Sequence, residues 1–397
     1  MTRLLSVSEA QERVLARVRA LPGEAVSVAA AAGRVLAEDA TARVDLPPFP
    51  SSAMDGFALR SSDVPGRLRI AGESAAGRPY EGVVGGGECV RISTGGVIPA
   101  GADAVIPVEY VVQSDNELTV EEDLETGAHV RPRGGDIRAG DVVVPRGRRL
   151  GAGAIGALAA AGIGEVVCAR RPRVAVLATG TELVPPGEPL APGQVYEANG
   201  TMLAAAIAAA GGDTELLSTV ADTEDEHRHA LERGLEADVL VTTGGVSVGE
   251  HDLVRRIEAE LGVGEVFWRV AVKPGKPVSF GVRGPTLVFG LPGNPVSSLV
   301  GFELFVQPAL LALQGATEPL PRFGSATLAR RVRRNPARDE FLRARSRTGD
   351  GGVVVEPLDG QESHMIARAS AADVLVLAPA GEGEIAAGET VRFLPIV

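Results

Sequence analysis

The sequence predicts a multidomain protein of the α/β and β classes, with a central, mostly parallel α/β sheet domain, a β-rich insert domain and a small C-terminal β-barrel. The main observation is an alternation of strand and helix patterns over residues 171–318. Such alternation is typical of parallel strands joined by crossover helices. On either side, short β-like runs between glycine and proline turns indicate β-rich domains. The length of 397 residues also exceeds that of one ordinary domain.

Changes of pattern along the chain place the domain boundaries. Proline-rich segments begin at Pro47 and at Pro319, and Arg170-Arg171-Pro172 is interpreted as a linker. The predicted domains are a helical linking domain of residues 1–46 and 139–170, a β-rich domain of residues 47–138, an α/β domain of residues 171–318 and a barrel domain of residues 319–397.

The first predicted element is an N-terminal helix. Ser8 and Gln11 have the spacing of a capping box, and the apolar periodicity that follows predicts a helix ending near Pro22-Gly23. Residues 88–92 and 104–108 are the clearest strands of the β-rich domain. The alanine-rich residues 150–161 predict a second helix.

The α/β domain is predicted from buried-strand runs that alternate with helical patterns. Thr223 and Glu226 have capping-box spacing at the start of one of the helices. The predicted strands are 174–178, 239–243 and 286–289, and the predicted helices are 202–210, 223–235, 252–261 and 295–313. Residues 353–355, 374–377 and 391–394 are predicted strands of the C-terminal barrel.

Composition excludes several classes of function. A net charge of −12 and a sequence pI near 5.1 argue against nucleic acid and anionic membranes as partners. The two cysteines have no metal or disulfide spacing, and the five histidines do not have the spacing of zinc ligands. The N-terminus does not resemble a signal peptide, so we expect a cytoplasmic protein without a membrane span.

Three predicted strand ends lead into glycine-containing loops. Parallel strands end at the same edge of a sheet, so these loops are expected to converge, and their main-chain N–H groups suit a phosphate or another oxyanion. The alternative is that they are only tight turns. The loops contain Thr179-Gly180, Thr243-Gly244-Gly245 with Ser247, and Leu291-Pro292-Gly293-Asn294-Pro295.

Basic and acidic residues outside these loops suit the same kind of ligand. Lys273 and Lys276, with Arg269 upstream, could bind an anionic substrate, although a solvated charged loop is equally compatible with the pattern. Five acidic residues lie beside glycines or at predicted element ends, where they would suit Mg²⁺ if they meet. They are Asp55, Asp136, Glu182, Asp222 and Asp252. Asp222 and Asp252 could instead stabilise helix N-termini.

Several motifs occur in order along the whole chain: Pro47-Pro48-Phe49, Ser52-Ala53-Met54-Asp55-Gly56, Arg91-Ile92-Ser93-Thr94-Gly95, Gly135-Asp136-Ile137-Arg138, Thr179-Gly180-Thr181-Glu182-Leu183, Gly244-Gly245-Val246-Ser247, Lys273-Pro274-Gly275-Lys276-Pro277 and Leu291-Pro292-Gly293-Asn294-Pro295. Together they resemble the molybdopterin molybdenumtransferases of the MoeA type, a family that includes the E domain of gephyrin. The resemblance implies an elongated homodimer whose α/β domain is of the molybdopterin-binding type. It also implies insertion of molybdate into adenylylated molybdopterin, with Mg²⁺ and release of AMP.

The resemblance also assigns site residues. The implied catalytic set is Asp55, Thr94, Asp136, Glu182, Asp222 and Asp252, with Asp55, Asp136 and Glu182 as metal ligands. The implied substrate-binding set is Thr179, Gly180, Gly244, Gly245, Ser247, Arg269, Lys273, Lys276, Pro292, Gly293, Asn294, Pro295, Arg343 and Ser363. Arg343 and Ser363 are implied to receive molybdate.

Three positions depart from the family pattern. Arg269 replaces a common lysine, Thr181 replaces a common aspartate, and Glu362 precedes Ser363 where glycine is expected. Molybdopterin adenylyltransferase and apo-molybdoenzymes are implied partners. Two other functions remain open at this point: a non-catalytic dimeric scaffold like the E domain of gephyrin, and adenylyl transfer to molybdopterin.

Overall fold

The structure, a computed structural model, describes residues 4–220, 223–244 and 253–396. The linking domain combines the N-terminal segment with residues that follow the β-rich domain, and its core includes Leu36, Leu150 and Leu158. Its elements are the helices Val7–Leu15 and Ala152–Ala160, the 3-10 turn Val28–Ala30, and two antiparallel pairs, Gly23–Ser27 with Glu165–Ala169 and Ala40–Thr41 with Val142–Val144.

The first helix begins two residues earlier than the sequence predicts, so the predicted capping box at Ser8 and Gln11 is wrong. Ser6 Oγ accepts a hydrogen bond from Glu9 N at 3.1 Å, and the Glu9 carboxylate accepts one from Ser6 N at 2.8 Å. The same spacing occurs at both places in the sequence. Of the two pairs, the structure uses Ser6 and Glu9. Glu9 carries a negative charge, which is favourable near a helix N-terminus.

That helix also ends at Leu15 rather than near Pro22-Gly23. Val18 and Leu21 still pack on the core without helical geometry. Leu21 N donates to the carbonyl of Leu313 at 2.7 Å, so the segment lies against the α/β domain. The predicted apolar face is therefore real, but only its first half is helical.

The β-rich domain contains a six-stranded sheet. Both predicted strands are confirmed, as Glu88–Ile92 and Ala104–Pro107. The strand order is Ala104–Pro107, Gly56–Leu59, Glu88–Ile92, Gly66–Ser74, Glu117–Val120, Val112–Ser114. A separate pair joins Ser51–Ser52 to Val130–Arg131, and 3-10 turns cover Ser61–Asp63 and Val108–Tyr110.

The α/β domain confirms the predicted, mostly parallel sheet. Its strand order is Asp213–Val220, Arg173–Thr179, Val239–Thr243, Thr286–Leu291, Ser279–Arg283, Gly264–Trp268. The first four strands are parallel, and the last two are added through antiparallel pairings. The helices Asn199–Ala209, Glu224–Gly234 and Leu253–Glu260 and the segment Pro295–Leu313 cover the sheet. A short parallel pair joins Leu183–Val184 to Val195–Tyr196.

The capping box predicted at Thr223 and Glu226 is also wrong, although the helix is present. Thr223 occupies the N-cap position without accepting a backbone hydrogen bond. Its hydroxyl instead donates to the Glu226 carboxylate at 2.9 Å. Spacing alone did not distinguish a bond between two side chains from a bond to the backbone.

The predicted long helix over residues 295–313 is interrupted. Pro295–Gly301 and Gln307–Leu313 are α-helical, and Phe302–Val306 between them forms a π turn. This segment is apolar and long enough to cross a membrane, but 78% of it is buried inside the protein. Its apolar surface therefore belongs to the core of the α/β domain.

The C-terminal domain is the predicted small barrel. Its five strands close in the order Asp339–Gly349, Gly352–Pro357, Gly324–Leu328, Thr390–Pro395, Val374–Ala378 and back to Asp339–Gly349. A short strand from the α/β domain, Val272–Lys273, pairs in parallel with Asp339–Gly349. The domain also contains the pair Val332–Arg333 with Glu384–Ile385 and the helix Ile366–Ala369.

Candidate active site

The three strand-end loops meet as the sequence predicts and line one cleft of about 610 Å³. A side chain at Gly244 would lie 2.6 Å from the carbonyl oxygen of Thr179, and one at Gly293 would lie 3.5 Å from the Cα of Gly244. Gly244 also has a φ of +91°, which favours glycine. Because the backbones approach so closely, a side chain at Gly244 would push the loops apart.

A buried set of polar side chains fixes the third loop. Asn199 Nδ2 donates to Thr243 Oγ1 at 2.9 Å and to the carbonyl of Gly293 at 2.8 Å. Ser298 Oγ donates to the carbonyl of Pro292 at 3.0 Å and lies 3.1 Å from Thr243 Oγ1. The carbonyls of Pro292 and Gly293 are therefore held on the protein side of the loop.

The N–H groups of this loop remain available to a ligand. Within the described part of the chain, neither Gly293 N nor Asn294 N donates to a protein acceptor. Asn294 is the N-cap of the helix that begins at Pro295, and this helix end adds partial positive charge. The cleft can therefore bind a phosphate or a similar anion.

Among the predicted acidic residues, Glu182 is the one that lines this cleft. It is exposed and lines the cleft beside Thr179. A Cβ at Gly180 would lie 2.7 Å from Glu182 Oε1, so a side chain at position 180 would displace the carboxylate. Pro292, Gly293, Asn294 and Pro295 also line the cleft, as the resemblance implies.

A second cleft of about 610 Å³ adjoins the first and lies between the α/β domain and the barrel. Both clefts include Asn294 and His364 in their walls. Asn294 Nδ2 donates to Ser363 Oγ at 2.9 Å, and Val296 N donates to the carbonyl of Ser363 at 3.1 Å. These contacts join the strand-end loop to Ser363, one of the two residues that were expected to receive molybdate.

Lys273 and Lys276 both line the second cleft. Lys273 Nζ lies 2.9 Å from Glu340 Oε1, and the two residues face each other across the strand pair that links the domains. Lys276 is exposed and forms no ion pair with any residue that the structure describes. Its ammonium group is therefore the freer of the two for an anionic ligand.

These two residues are the only lysines in the sequence. Every other basic residue among the 39 lysines and arginines is an arginine. A lysine carries a compact, rotatable ammonium group, whereas the arginine guanidinium is a planar fork. Both lysines of the sequence therefore lie in the wall of this cleft, a coincidence that the sequence alone could have indicated.

Arg343 does not line either cleft. Its side chain is 1% exposed, and its guanidinium donates to the carbonyls of Gly360 at 2.6 Å and Glu362 at 3.2 Å. Burial lowers the pKa of Arg343 below its ordinary value, although the charge of Glu362 opposes this effect. In this structure Arg343 holds the loop that carries Ser363.

Arg269 also lies away from both clefts. Its guanidinium stacks 3.6 Å from the centre of the Trp268 ring, and its φ is +76°. Arg255 lies over the same ring at 4.2 Å. The planar guanidinium suits this stacked position better than a lysine ammonium group would.

Asp55 and Thr94 of the β-rich domain are in contact with each other, and both of them and Asp136 lie outside the two clefts. Thr94 N donates to Asp55 Oδ1 at 2.6 Å. Asp136 is exposed and its backbone N donates to the carbonyl of Leu46 at 2.9 Å. Within one chain, therefore, Asp55, Thr94 and Asp136 do not line the clefts that Glu182 and Lys276 line.

The metal prediction is not met by one chain alone. Among residues 4–220, 223–244 and 253–396, no group of three His, Cys, Asp or Glu side chains could hold a metal ion. Asp55, Asp136 and Glu182 therefore do not form a Mg²⁺ site by themselves. Gly245, Ser247, Asp222 and Asp252 lie outside the described residues.

The structure adds residues that the motifs did not indicate, some in the cleft walls and one, Ser298, buried behind the third loop. Asn199 and Ser298 occur in helical sequence and carry no recognisable spacing, while Arg338 and His364 lie in loops of the barrel domain. Arg338 and His364 line the second cleft. Only the folded chain brings these four residues to the strand-end loops.

Family models match the chain over most of its length. Residues 5–162 match the MoeA N-terminal region (domain I and II), residues 175–312 match the "Probable molybdopterin binding domain", and residues 325–396 match the MoeA C-terminal region (domain IV). The molybdopterin molybdenumtransferase of Haemophilus influenzae is 35% identical over 400 residues, covering 99% of this chain and 98% of the relative. The chain belongs to the molybdopterin molybdenumtransferase family.

Other comparisons agree with this membership. The molybdopterin molybdenumtransferase of Staphylococcus aureus strain Mu50 is 32% identical, with 98% of this chain and 95% of the relative covered. A crystal structure of the molybdopterin biosynthesis MoeA protein of Pyrococcus horikoshii is 33% identical, with a TM-score of 0.79 and 99% of each chain covered. Membership of the family places this chain in molybdenum cofactor biosynthesis.

Proposed function

We propose that this chain inserts molybdate into adenylylated molybdopterin and releases AMP. The observation that carries the proposal is the pair of adjoining clefts, one lined by the strand-end loops and the other by the only lysines of the sequence. The first cleft suits a pterin phosphate, and the second suits a divalent oxyanion. Their shared wall brings the two reactants together.

The residues have distinct roles in this reaction. Hydrolysis of the adenylate breaks one phosphorus–oxygen bond of the pyrophosphate, while the oxygen of a water molecule forms the new bond to phosphorus. Negative charge develops on the leaving phosphate. Lys276 and the loop N–H groups of Gly293 and Asn294 would stabilise that charge. Ser363 Oγ accepts from Asn294 Nδ2, so its own hydrogen can be donated to a molybdate oxygen.

We also propose that Mg²⁺ takes part, held jointly by two chains. Asp55 and Asp136 lie outside the clefts of their own chain, whereas Glu182 lines one of them. A homodimer could place the Asp55 loop of one chain at the cleft of the other. When bound there, Mg²⁺ would neutralise pyrophosphate charge.

The remaining parts of the proposal concern partners and location. Molybdopterin adenylyltransferase would supply the adenylylated substrate, and apo-molybdoenzymes would accept the product. All of these steps take place in the cytoplasm in this proposal, which agrees with two buried, free cysteines.

The test is molybdate-dependent formation of cofactor and AMP by the purified protein. Adenylylated molybdopterin, Mg²⁺ and molybdate should yield AMP without added ATP, and Lys276→Gln should reduce kcat/KM by about tenfold or more. Arg322→Gln is the matched control, because Arg322 is exposed and lies outside both clefts. Absence of product with wild-type protein would indicate a scaffold, and consumption of ATP with release of pyrophosphate in the presence of molybdopterin would indicate adenylyl transfer.

A further inference from the structure

A cavity of about 500 Å³ in the barrel domain is unusually basic. It adjoins the second cleft, which contains Lys273 and Lys276 and is called the lysine cleft below. Five basic side chains and two acidic ones line it, although the whole chain has a net charge of −12. The arginines are Arg330, Arg331, Arg333 and Arg334. Lys273 and Gln361 belong to the walls of both the cavity and the lysine cleft.

Part of this charge is neutralised by neighbours. Arg330 Nη1 lies 2.7 Å from Asp359 Oδ1, and Arg331 Nη1 lies 3.5 Å from Glu384 Oε2. In the described part of the chain, Arg333 and Arg334 pair with no carboxylate. The cavity therefore keeps an excess of positive charge from two guanidinium groups.

One of these groups also contains an unused, buried hydrogen-bond donor. Arg334 Nε is shielded from solvent and has no hydrogen-bond partner among the described residues. A buried donor without an acceptor is unfavourable, so an acceptor from a ligand would stabilise this arrangement. Gly381 packs against this side chain, since a Cβ there would lie 2.9 Å from Arg334 Nη1.

From these observations we infer that the cavity is a second binding site for a tetrahedral, doubly charged oxyanion. Guanidinium groups bind such anions through paired N–H donors, and a basic cavity raises the local concentration of anions around an acidic protein. The ligand is either free molybdate or the phosphomonoester of a nucleotide such as AMP. Lys273 lies between this cavity and the lysine cleft, so an anion bound here is next to the candidate active site.

The idea that the cavity supplies molybdate to the lysine cleft rests on the proposed function. The binding of an oxyanion in the cavity does not depend on that function. Isothermal titration of the full-length protein with molybdate alone, and separately with AMP alone, measures binding directly. If molybdate is the ligand of the cavity, wild-type protein should bind it at an Arg-dependent site as well as at a Lys276-dependent site. In R333Q/R334Q the first should weaken by about tenfold or more, while K276Q should weaken only the second.

The control R345Q/R347Q removes the same charge from exposed positions outside the cavity and should bind like wild-type protein. R333K/R334K keeps the charge and should recover part of the affinity, and thermal melting checks that every variant folds. Loss of AMP binding instead of molybdate binding in R333Q/R334Q would identify the phosphomonoester as the ligand. Unchanged titrations with both anions in R333Q/R334Q would overturn the inference, and a wild-type protein that binds molybdate without turnover would refute only the proposed function.

Discussion

The two lysines are the residues that most clearly separate this site from the rest of the surface. The sequence supplies positive charge with arginine at every position except Lys273 and Lys276. Lys276 is exposed in the cleft, whereas Lys273 is paired with Glu340. A reagent that acylates amines should therefore react with few groups in this protein, and mostly within the candidate active site.

We predict that limited amine acylation modifies Lys276 faster than Lys273, because the ion pair restrains the Lys273 ammonium group. Peptide mass spectrometry measures both rates, and molybdate should slow the modification of Lys276. The N-terminal amine provides an internal control. Equal protection of the N-terminus and Lys276 by molybdate would contradict binding in the cleft.

Glu303 is a buried carboxyl group outside the proposed chemistry. Burial raises its pKa to about 7, although a hydrogen bond from Gln307 Nε2 opposes this shift. The native state thus holds the proton more tightly than the unfolded state, whose glutamate has a pKa of 4.5. The free energy of unfolding should fall as pH rises from 4.5 to about 7, with no further loss from this group at higher pH.

Glu303→Gln should therefore raise the free energy of unfolding at pH 8 by about 1–3 kcal/mol and change it little near pH 4.5. Urea unfolding at both pH values measures the difference. Glu318→Gln is the control, because Glu318 is largely exposed in the same region. An equal effect of Glu303→Gln at both pH values would show that burial does not shift this group.

At the scale of elements, the strand-end loop depends on one amide. Asn199 uses both of its N–H donors to hold Thr243 and the carbonyl of Gly293. Asn199→Asp keeps the size but removes these donors, so we predict a loss of about 1–3 kcal/mol in the free energy of unfolding. AMP release should fall as well, because the loop would no longer be fixed.

Asn335→Asp is a matched control for this change. Asn335 accepts hydrogen bonds from the backbone of Ala337 and Arg338 through Oδ1 alone, and an aspartate can still accept them. Denaturant unfolding measures the free energy of unfolding of both variants. Asn199→Asp loses hydrogen-bond donors, whereas Asn335→Asp keeps its acceptor. Equal stability of Asn199→Asp and wild-type protein would refute the role given to Asn199.

The N-terminal helix is bonded to the α/β domain at the π turn that interrupts the helix over residues 295–313. In an α-helix the carbonyl of Leu304 would accept from residue 308, but Pro308 has no N–H. Gln11 Nε2 donates to this carbonyl instead, at 2.9 Å. Because Leu304 lies in the π turn Phe302–Val306, Gln11 adds a donor to a carbonyl for which Pro308 cannot provide the α-helical hydrogen bond.

We predict that Gln11→Ala lowers the free energy of unfolding by about 1–2 kcal/mol in the wild-type background. In the Pro308→Ala background, the new N–H can satisfy Leu304, so the same change should cost less. A double-mutant cycle of unfolding free energies measures this coupling. Additive effects would show that Gln11 and Pro308 act independently.

Sequence patterns predicted the helices and strands better than they predicted the contacts between those elements. Strands such as 239–243 follow from continuous apolar runs, because burial of both sheet faces requires them. The capping boxes at Ser8 and Thr223 were misplaced because two residues three apart satisfy the same pattern in several ways. Asn199 could not be predicted, since its partners are distant in sequence.

On the scale of the whole molecule, family motifs located the loops and lysines but could not place the two halves of the site. Glu182 and Lys276 line adjoining clefts, while Asp55, Thr94 and Asp136 lie elsewhere in the same chain. Motif order says nothing about which chain contributes a residue. The proposed homodimer brings these halves together only between two chains.

A mixing experiment tests this arrangement and the proposed reaction at once. Asp55→Asn and Lys276→Gln damage opposite halves of the proposed site, so each variant alone should release little AMP. If the two variants exchange subunits freely, one site of each mixed dimer contains no substitution, and the mixture should recover about a quarter of wild-type AMP release. No recovery despite proven subunit exchange would contradict a site shared between chains.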